Sequence, residues 1–181
     1  APSANPSAPS SAPSADPSAP SSAPSADPSA PPAPLFLSGY ESGHCELIRW
    51  PTRLCRVRLF EEPVMAIDYS ASAGRAVAGS ATPDLALLGV TDRLRVRGRI
   101  AAPSPGVGCL AYRPDGRLLL SASWDSRIRL YSGKSCRQLA VLSTHSSSVS
   151  ALAFNSTNGC FYSGDKEGLI CAWELYAHSG H

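Results

Sequence analysis

His145 is the side chain in this sequence best placed to exchange a proton near neutral pH, so its company decides whether catalysis is in view. General acid–base or nucleophilic chemistry would need an activated nucleophile or a paired carboxylate within reach. No nucleophile motif and no paired catalytic carboxylate accompanies His145, and it reads as a structural residue that orients a turn. His178 and His181 stand at the C-terminus and signal little. Six cysteines (Cys45, Cys55, Cys109, Cys136, Cys160, Cys171) are spread along the chain without a CxxC pair, whereas metal ligands cluster at short spacing. Most of them fall inside apolar runs, where a buried thiol behaves as a small hydrophobe. Their even number leaves disulfides open, but the pattern favours a reducing compartment, cytoplasmic or nuclear. The sequence predicts no enzyme, no metal and no cofactor.

A second pattern concerns binding. Arg93, Arg95, Arg97 and Arg99 alternate with Leu94, Val96, Gly98 and Ile100, which on a strand puts four guanidiniums on one face. Arg56 and Arg58 repeat the idea upstream. On an outermost strand such charges block unwanted edge pairing. The sharper reading is an Arg ridge that docks an acidic partner surface. With the acidic Asp16 and Asp27 set aside, the remaining chain carries all 16 basic residues and 12 of the 14 acidic ones, a net of +4. That is far from the concentrated stripe of a nucleic-acid-binding protein, and no nucleic-acid partner is expected. No apolar run approaches the ~20 residues of a membrane-spanning helix. No charged-then-apolar leader is visible, so the Asn155-Ser156-Thr157 glycosylation pattern reads as chance.

The elements that must position these residues follow from composition and periodicity. Residues 1–34 contain only Ala, Pro, Ser, Asp and Asn, which cannot bury enough apolar surface to offset the entropy of ordering them. Within them a PSA(N/D)PSAPxx(A/P) unit recurs three times at a spacing of about eleven residues, as an extended, polyproline-like spacer would. The spacer reads as a tether or modification target, or as a neutral low-complexity expansion. Residues 35–177 repeat differently. Gly106–Ser132 laid over Ser148–Glu174 pairs Val107 with Val149, Leu110 with Leu152, Ser121 with Ser163, Asp125 with Glu167 and Tyr131 with Trp173. A period in the range of about 40–45 residues with alternating apolar positions is the mark of β-propeller blades. Pro114-Asp115-Gly116 and Thr157-Asn158-Gly159 supply tight turns. Two weaker units lie upstream. One has strands over 64–69, 75–80, 85–90 and 93–100, and the other over 35–40, 45–50 and 54–60. The expected fold is all-β, about three and a half four-stranded antiparallel blades of an incomplete ring, with residues 178–181 frayed.

Ser121-Ala-Ser-Trp-Asp125-Ser-Arg-Ile128-Arg-Leu-Tyr131 resembles the core of a WD repeat. In that family a His before the first strand, a Ser on the second, an Asp in the following turn and a Trp on the third form a hydrogen-bonded set. The resemblance assigns those roles to His145, Ser163, Glu167 and Trp173 in the last blade, and to Ser121 (or Ser123), Asp125 and Tyr131 in the one before. There Pro103 stands where the His belongs. LFLSGYESG (35–43), EEPVMAIDY (61–69), RPDGRLLLSASWDSRIRLY (113–131), QLAVLSTHSSSVSALAF (138–154) and WELY (173–176) are similar to the C-terminal half of the guanine nucleotide-binding protein beta-subunit-like protein 1 family, related to fungal ASTRA-associated WD-repeat proteins. The resemblance implies a non-catalytic scaffold that assists maturation or stability of phosphatidylinositol 3-kinase-related kinases, and so DNA-damage signalling, alongside chaperones and their adaptors. No GxxxxGK[ST] loop for a nucleotide is present. Expected contact loops are 40–44, 61–64, 123–127 and 165–168. The alternative is a propeller fragment without autonomous activity, and a homodimer through the open propeller edge is a further expectation.

Overall fold

The computed structural model describes residues 33–103, 106–156 and 159–175. The repeating tail through residue 32, two residues of the predicted Thr157-Asn158-Gly159 turn and the C-terminus from 176 lie outside the described residues. The described residues contain fourteen strands and no helix. Blade 1 comprises β1 (Leu35–Gly39), β2 (His44–Arg49) and β3 (Thr52–Arg58). Blade 2 comprises β4 (Ala66–Ser70), β5 (Arg75–Gly79), β6 (Asp84–Val90) and β7 (Leu94–Ala101). Blade 3 comprises β8 (Val107–Tyr112), β9 (Leu118–Ser123), β10 (Ile128–Ser132) and β11 (Gln138–Leu142). Blade 4 comprises β12 (Val149–Phe154), β13 (Phe161–Asp165) and β14 (Ile170–Trp173). Every strand pairs antiparallel with its neighbour in sequence, so each blade is a simple meander.

Local sequence explains the turns. At the β8–β9 connection Asp115 accepts the Arg117 amide at 2.9 Å, and Gly116 takes the left-handed φ of +68° while its amide donates to Arg113 O at 2.7 Å. The blades then stack face to face over three apolar clusters. Cys45, Leu47, Ala76 and Leu88 join blades 1 and 2; Val77, Leu85, Leu119 and Tyr131 join blades 2 and 3; Leu120, Ile128, Phe161 and Trp173 join blades 3 and 4. Stacking brings the first strands β4, β8 and β12 alongside one another at the inner edge. A glycine at the end of β1 and another at the end of β5 make room for the next blade. A Cβ on Gly79 would stand 2.9 Å from the Val107 Cβ, and one on Gly39 would stand 2.6 Å from Val64 Cγ1.

Interior strands are buried on both sides, β9 along its whole length. The last blade has no such cover. Its outer face, carrying Tyr162 and Ile170 (74 % exposed), meets no further sheet among the described residues. The four blades form an arc that does not close into a ring. The expected strands are thus present, and the three-strand count of the first unit is that of blade 1.

Candidate functional site

In blade 4 the backbone period places the polar set. Ser163 and Asp165 are two apart on β13 and therefore share one face, where the loop before β12 lays His145 across both. His145 Nδ1 lies 2.9 Å from Asp165 Oδ2, its Nε2 lies 2.6 Å from Ser163 Oγ, and the Trp173 indole N–H donates to Ser163 Oγ at 2.7 Å. A carboxylate can only accept, so the network fixes the tautomer: Nδ1–H donates to Asp165 and Nε2 accepts the Ser163 hydroxyl. The second Asp165 oxygen accepts the amides of Glu167 and Leu169, each at 3.0 Å, and so shapes the β13–β14 turn. The His145 hydrogen bond first, then those amides, hold the Asp165 carboxyl below the usual carboxylate range against the opposing effect of burial.

Glu167 therefore does not have the role expected of it. It lies beyond the strand end with its side chain in solvent, while Asp165 occupies the position from which a short carboxylate reaches His145. The signal for this was the i, i+2 spacing of Ser163 and Asp165. The Asp–His–Ser order is that of a hydrolase triad, but the chemistry is not. Ser163 is 2 % exposed and its oxygen is engaged by the Trp173 N–H, so no substrate carbonyl has access to it.

Blade 3 solves the same problem with different atoms. Pro103 offers no side-chain donor, and Arg129 on β10 supplies the missing bridge from within the blade. Its guanidinium donates to Ser123 Oγ at 3.1 Å and to both Asp125 oxygens at 3.1 and 2.5 Å. Burial pushes Asp125 up, but the Arg129 guanidinium outweighs it and holds the carboxyl below its ordinary value. Ser121 and Tyr131 are not brought into this set. Their hydroxyls are buried without a hydrogen-bond partner, at the two positions that Ser163 and Trp173 fill as partners in blade 4.

The Arg ridge is divided. Leu87 pairs with Gly98 and Leu88 with Val96, which leaves Arg97 as the extra residue of a β-bulge. The bulge reverses the alternation. Leu94 packs toward blade 1 and Ile100 toward blade 3, although they lie an even number of residues apart. Arg99 is thereby turned to blade 1, where it sits 5.1 Å from the Phe60 ring centroid and donates to Leu59 O. Arg95 and Arg97 stay on the opposite face, and Arg93 is in the turn before β7. Four arginines on one face are therefore not present: Arg99 secures the segment joining blades 1 and 2.

The antiparallel meander gathers loops 40–44, 61–64, 123–127 and 165–168 at one end of the blades, since they are the β1–β2 turn, the lead-in to β4, the β9–β10 turn and the β13–β14 turn. Backbone hydrogen bonds hold each turn to a lead-in segment: Val64 N to Tyr40 O at 3.1 Å, Trp124 N to Gly106 O at 3.1 Å, and Lys166 N to Ser148 O at 3.0 Å. Trp124 stands out at this end. Its ring lies on Gly106, where an added Cβ would fall 2.1 Å from the indole, and it is still 42 % exposed. Gly106 has φ +84°, so the seat is available only to glycine. The Ser148 hydroxyl donates to Trp124 O at 3.1 Å, locking the turn to blade 4. Among the described residues no cluster of three or more metal-ligating side chains occurs, and no helix is long and apolar enough to cross a membrane. No disulfide joins the six cysteines.

A model of the WD domain, G-beta repeat family matches residues 96–132 and 136–174, the spans that contain both networks. These two spans are WD repeats. It is 35 % identical over 149 residues to guanine nucleotide-binding protein subunit beta-like protein 1 of Mus musculus, covering 79 % of this chain and 45 % of that protein. It is 27 % identical over 165 residues to ASTRA-associated protein 1 of Schizosaccharomyces pombe, covering 78 % of this chain and 44 % of the relative. The counterpart of Schizosaccharomyces japonicus is 39 % identical over 72 residues, 40 % of this chain and 20 % of the relative. The chain thus spans less than half the length of these relatives. WD repeats serve as protein-binding scaffolds, and no catalytic family is indicated for this one.

Proposed function

We propose that the blades are a non-catalytic docking scaffold whose loop end, centred on Trp124, holds a partner protein, in an assembly that matures or stabilises phosphatidylinositol 3-kinase-related kinases. The observation that carries the docking surface is Trp124 itself: a large aromatic, seated rigidly on Gly106 and anchored on two sides, yet open to solvent. Such a side chain loses little conformational entropy on binding, which is what makes aromatic anchors effective. The kinase-assembly part rests on similarity to proteins named ASTRA-associated. The same reading places its site of action in the cytoplasm or nucleus.

The test is quantitative affinity purification of the tagged chain beside its Trp124→Ala form and a version extended by upstream blades. Enrichment of those kinases and their assembly factors by the chain, lost in Trp124→Ala, supports the reading. Recovery of partners by the extended version alone assigns the binding to the upstream blades, and these blades then have no autonomous activity.

A second reading concerns the open end. The outer face of blade 4 is a shallow apolar surface formed by Ala151, Ala153, Tyr162 and Ile170. It favours closure of the arc by a second copy, with blade 4 of one chain on blade 1 of the other. A monomeric mass with cooperative unfolding would rule that out.

A further inference from the structure

At the end of the blades opposite Trp124, blades 2 and 3 leave a cavity of about 270 Å³ between them. Three cationic side chains line it: Arg75 from the start of β5, Arg97 from the bulge in β7, and Lys134 from the β10–β11 turn. Tyr112 and Cys136 complete the polar wall, and among the described residues no carboxylate lines it. Arg75 donates to Gly133 O at 2.6 Å and Lys134 O at 3.1 Å, both main-chain carbonyls, so its charge is fixed in place but not neutralised. Among the described residues Arg97 forms no ion pair. The bulge turns it toward blade 3, and Gly89 makes room for it, since a Cβ there would lie 3.1 Å from Arg97 Cδ. Arg97 also borders an open groove that holds Arg95 and Thr91, which gives the cavity an approach from solvent. Asp68 accepts the Tyr112 main-chain amide and is pushed up by burial. Burial likewise raises the Cys136 thiol, which keeps it a neutral weak donor and not a nucleophile.

Three like charges around one half-open space, none of them in an ion pair among the described residues, favour an anion placed between them. A bidentate guanidinium, a point-charge ammonium and further donors on separate walls suit a tetrahedral dianion better than a flat monoanionic carboxylate. The space is too small for a nucleic-acid duplex. We propose that this cavity binds phosphate chemistry, as a phosphomonoester on a partner's serine or threonine or as free phosphate. This goes beyond the scaffold reading, because it lies at the other end of the strands and uses none of the Trp124 surface.

The experiment is calorimetric titration of the whole chain at low salt with inorganic phosphate, a phosphoserine peptide and the same peptide unphosphorylated. It is repeated on Arg97→Gln/Lys134→Gln and on Arg93→Gln, whose side chains are all exposed, so folding is retained. Saturable binding of phosphate or phosphopeptide is expected, weakened about tenfold or more by the double substitution and unchanged by Arg93→Gln. A phosphopeptide that binds more tightly than inorganic phosphate assigns the phosphate to a partner protein; equal affinities assign it to the free anion. No saturable binding of either probe, equal binding of the unphosphorylated peptide, or an unchanged affinity in the double variant overturns the proposal.

Discussion

Blades 3 and 4 carry the same second-strand framework, with Ser121 and Ser163 at matching positions, yet close it with different groups. Blade 4 reaches outside its sheet to His145, so one buried network ties the lead-in loop, the second strand, the third strand and the turn between them. Blade 3 closes on itself: Arg129, Ser123 and Asp125 are all within one hairpin, and the lead-in at Pro103 is not part of the network. A contact made across the sheet from a distant loop restricts more of the chain than one made across a turn. The fold tolerates the exchange because in both blades the turn carboxylate is held by hydrogen bonds, whichever residue supplies them.

The largest expected effect is on blade 4. His145→Ala takes the donor from the buried Asp165 Oδ2 and the acceptor from the buried Ser163 hydroxyl, though Ser163 keeps the Trp173 N–H and Asp165 keeps its two amides, and should cost about 3 kcal/mol. Amide hydrogen exchange is expected to accelerate first in β12–β14, because repeat architectures lose stability locally. Uniform acceleration across all four blades would break the comparison. Arg129→Met in blade 3 should cost less, about 2 kcal/mol, since water can reach the freed Asp125, which is 25 % exposed. Denaturant unfolding of both variants measures the order directly.

Acid should separate the carboxylates by sign. Asp165 and Asp125 sit below the ordinary value, so their stabilisation is complete above the unfolded carboxylate pKa of about 3.9 and is lost as pH falls through the lower folded value. Asp68 is raised by burial, so it destabilises at neutral pH and that loss is recovered as pH falls from its raised folded value to the unfolded one. Asp165→Asn should flatten the acid limb of a stability–pH curve and Asp68→Asn should steepen it. The same response in both variants would mean the acid limb belongs to other groups. The smallest effect sharpens the contrast. Tyr131→Phe removes a hydroxyl that has no partner and should be neutral or slightly stabilising, whereas Trp173→Phe removes a donor used by Ser163 and should cost about 1 kcal/mol.

Much of the fold was legible in the sequence, because blade strands announce themselves by period and by turn residues. The interval that sets Val107 over Val149 located strands in all four blades. The candidate site was less legible. Asp125 was correctly placed in a turn, but its partner Arg129 alternates with Ile128 and Leu130 and reads as a solvent-facing residue. In an interior blade both faces are buried, which turns that outward position into a core one. Arg99 was misplaced for a related reason: alternation is a local rule, and one bulged residue reverses it for the rest of the strand. The choice between Asp165 and Glu167 depended on where β13 ends.

Sequence alone therefore determined the repeat, the strand content and the identity of the inward apolar residues, since these follow from periodicity and side-chain volume. The tertiary structure decided which carboxylate met His145, which arginine went into the core, which way each guanidinium faced, and that Trp124 came to lie on Gly106. Those outcomes depend on contacts between residues far apart in the chain, where burial and hydrogen-bond geometry override local pattern.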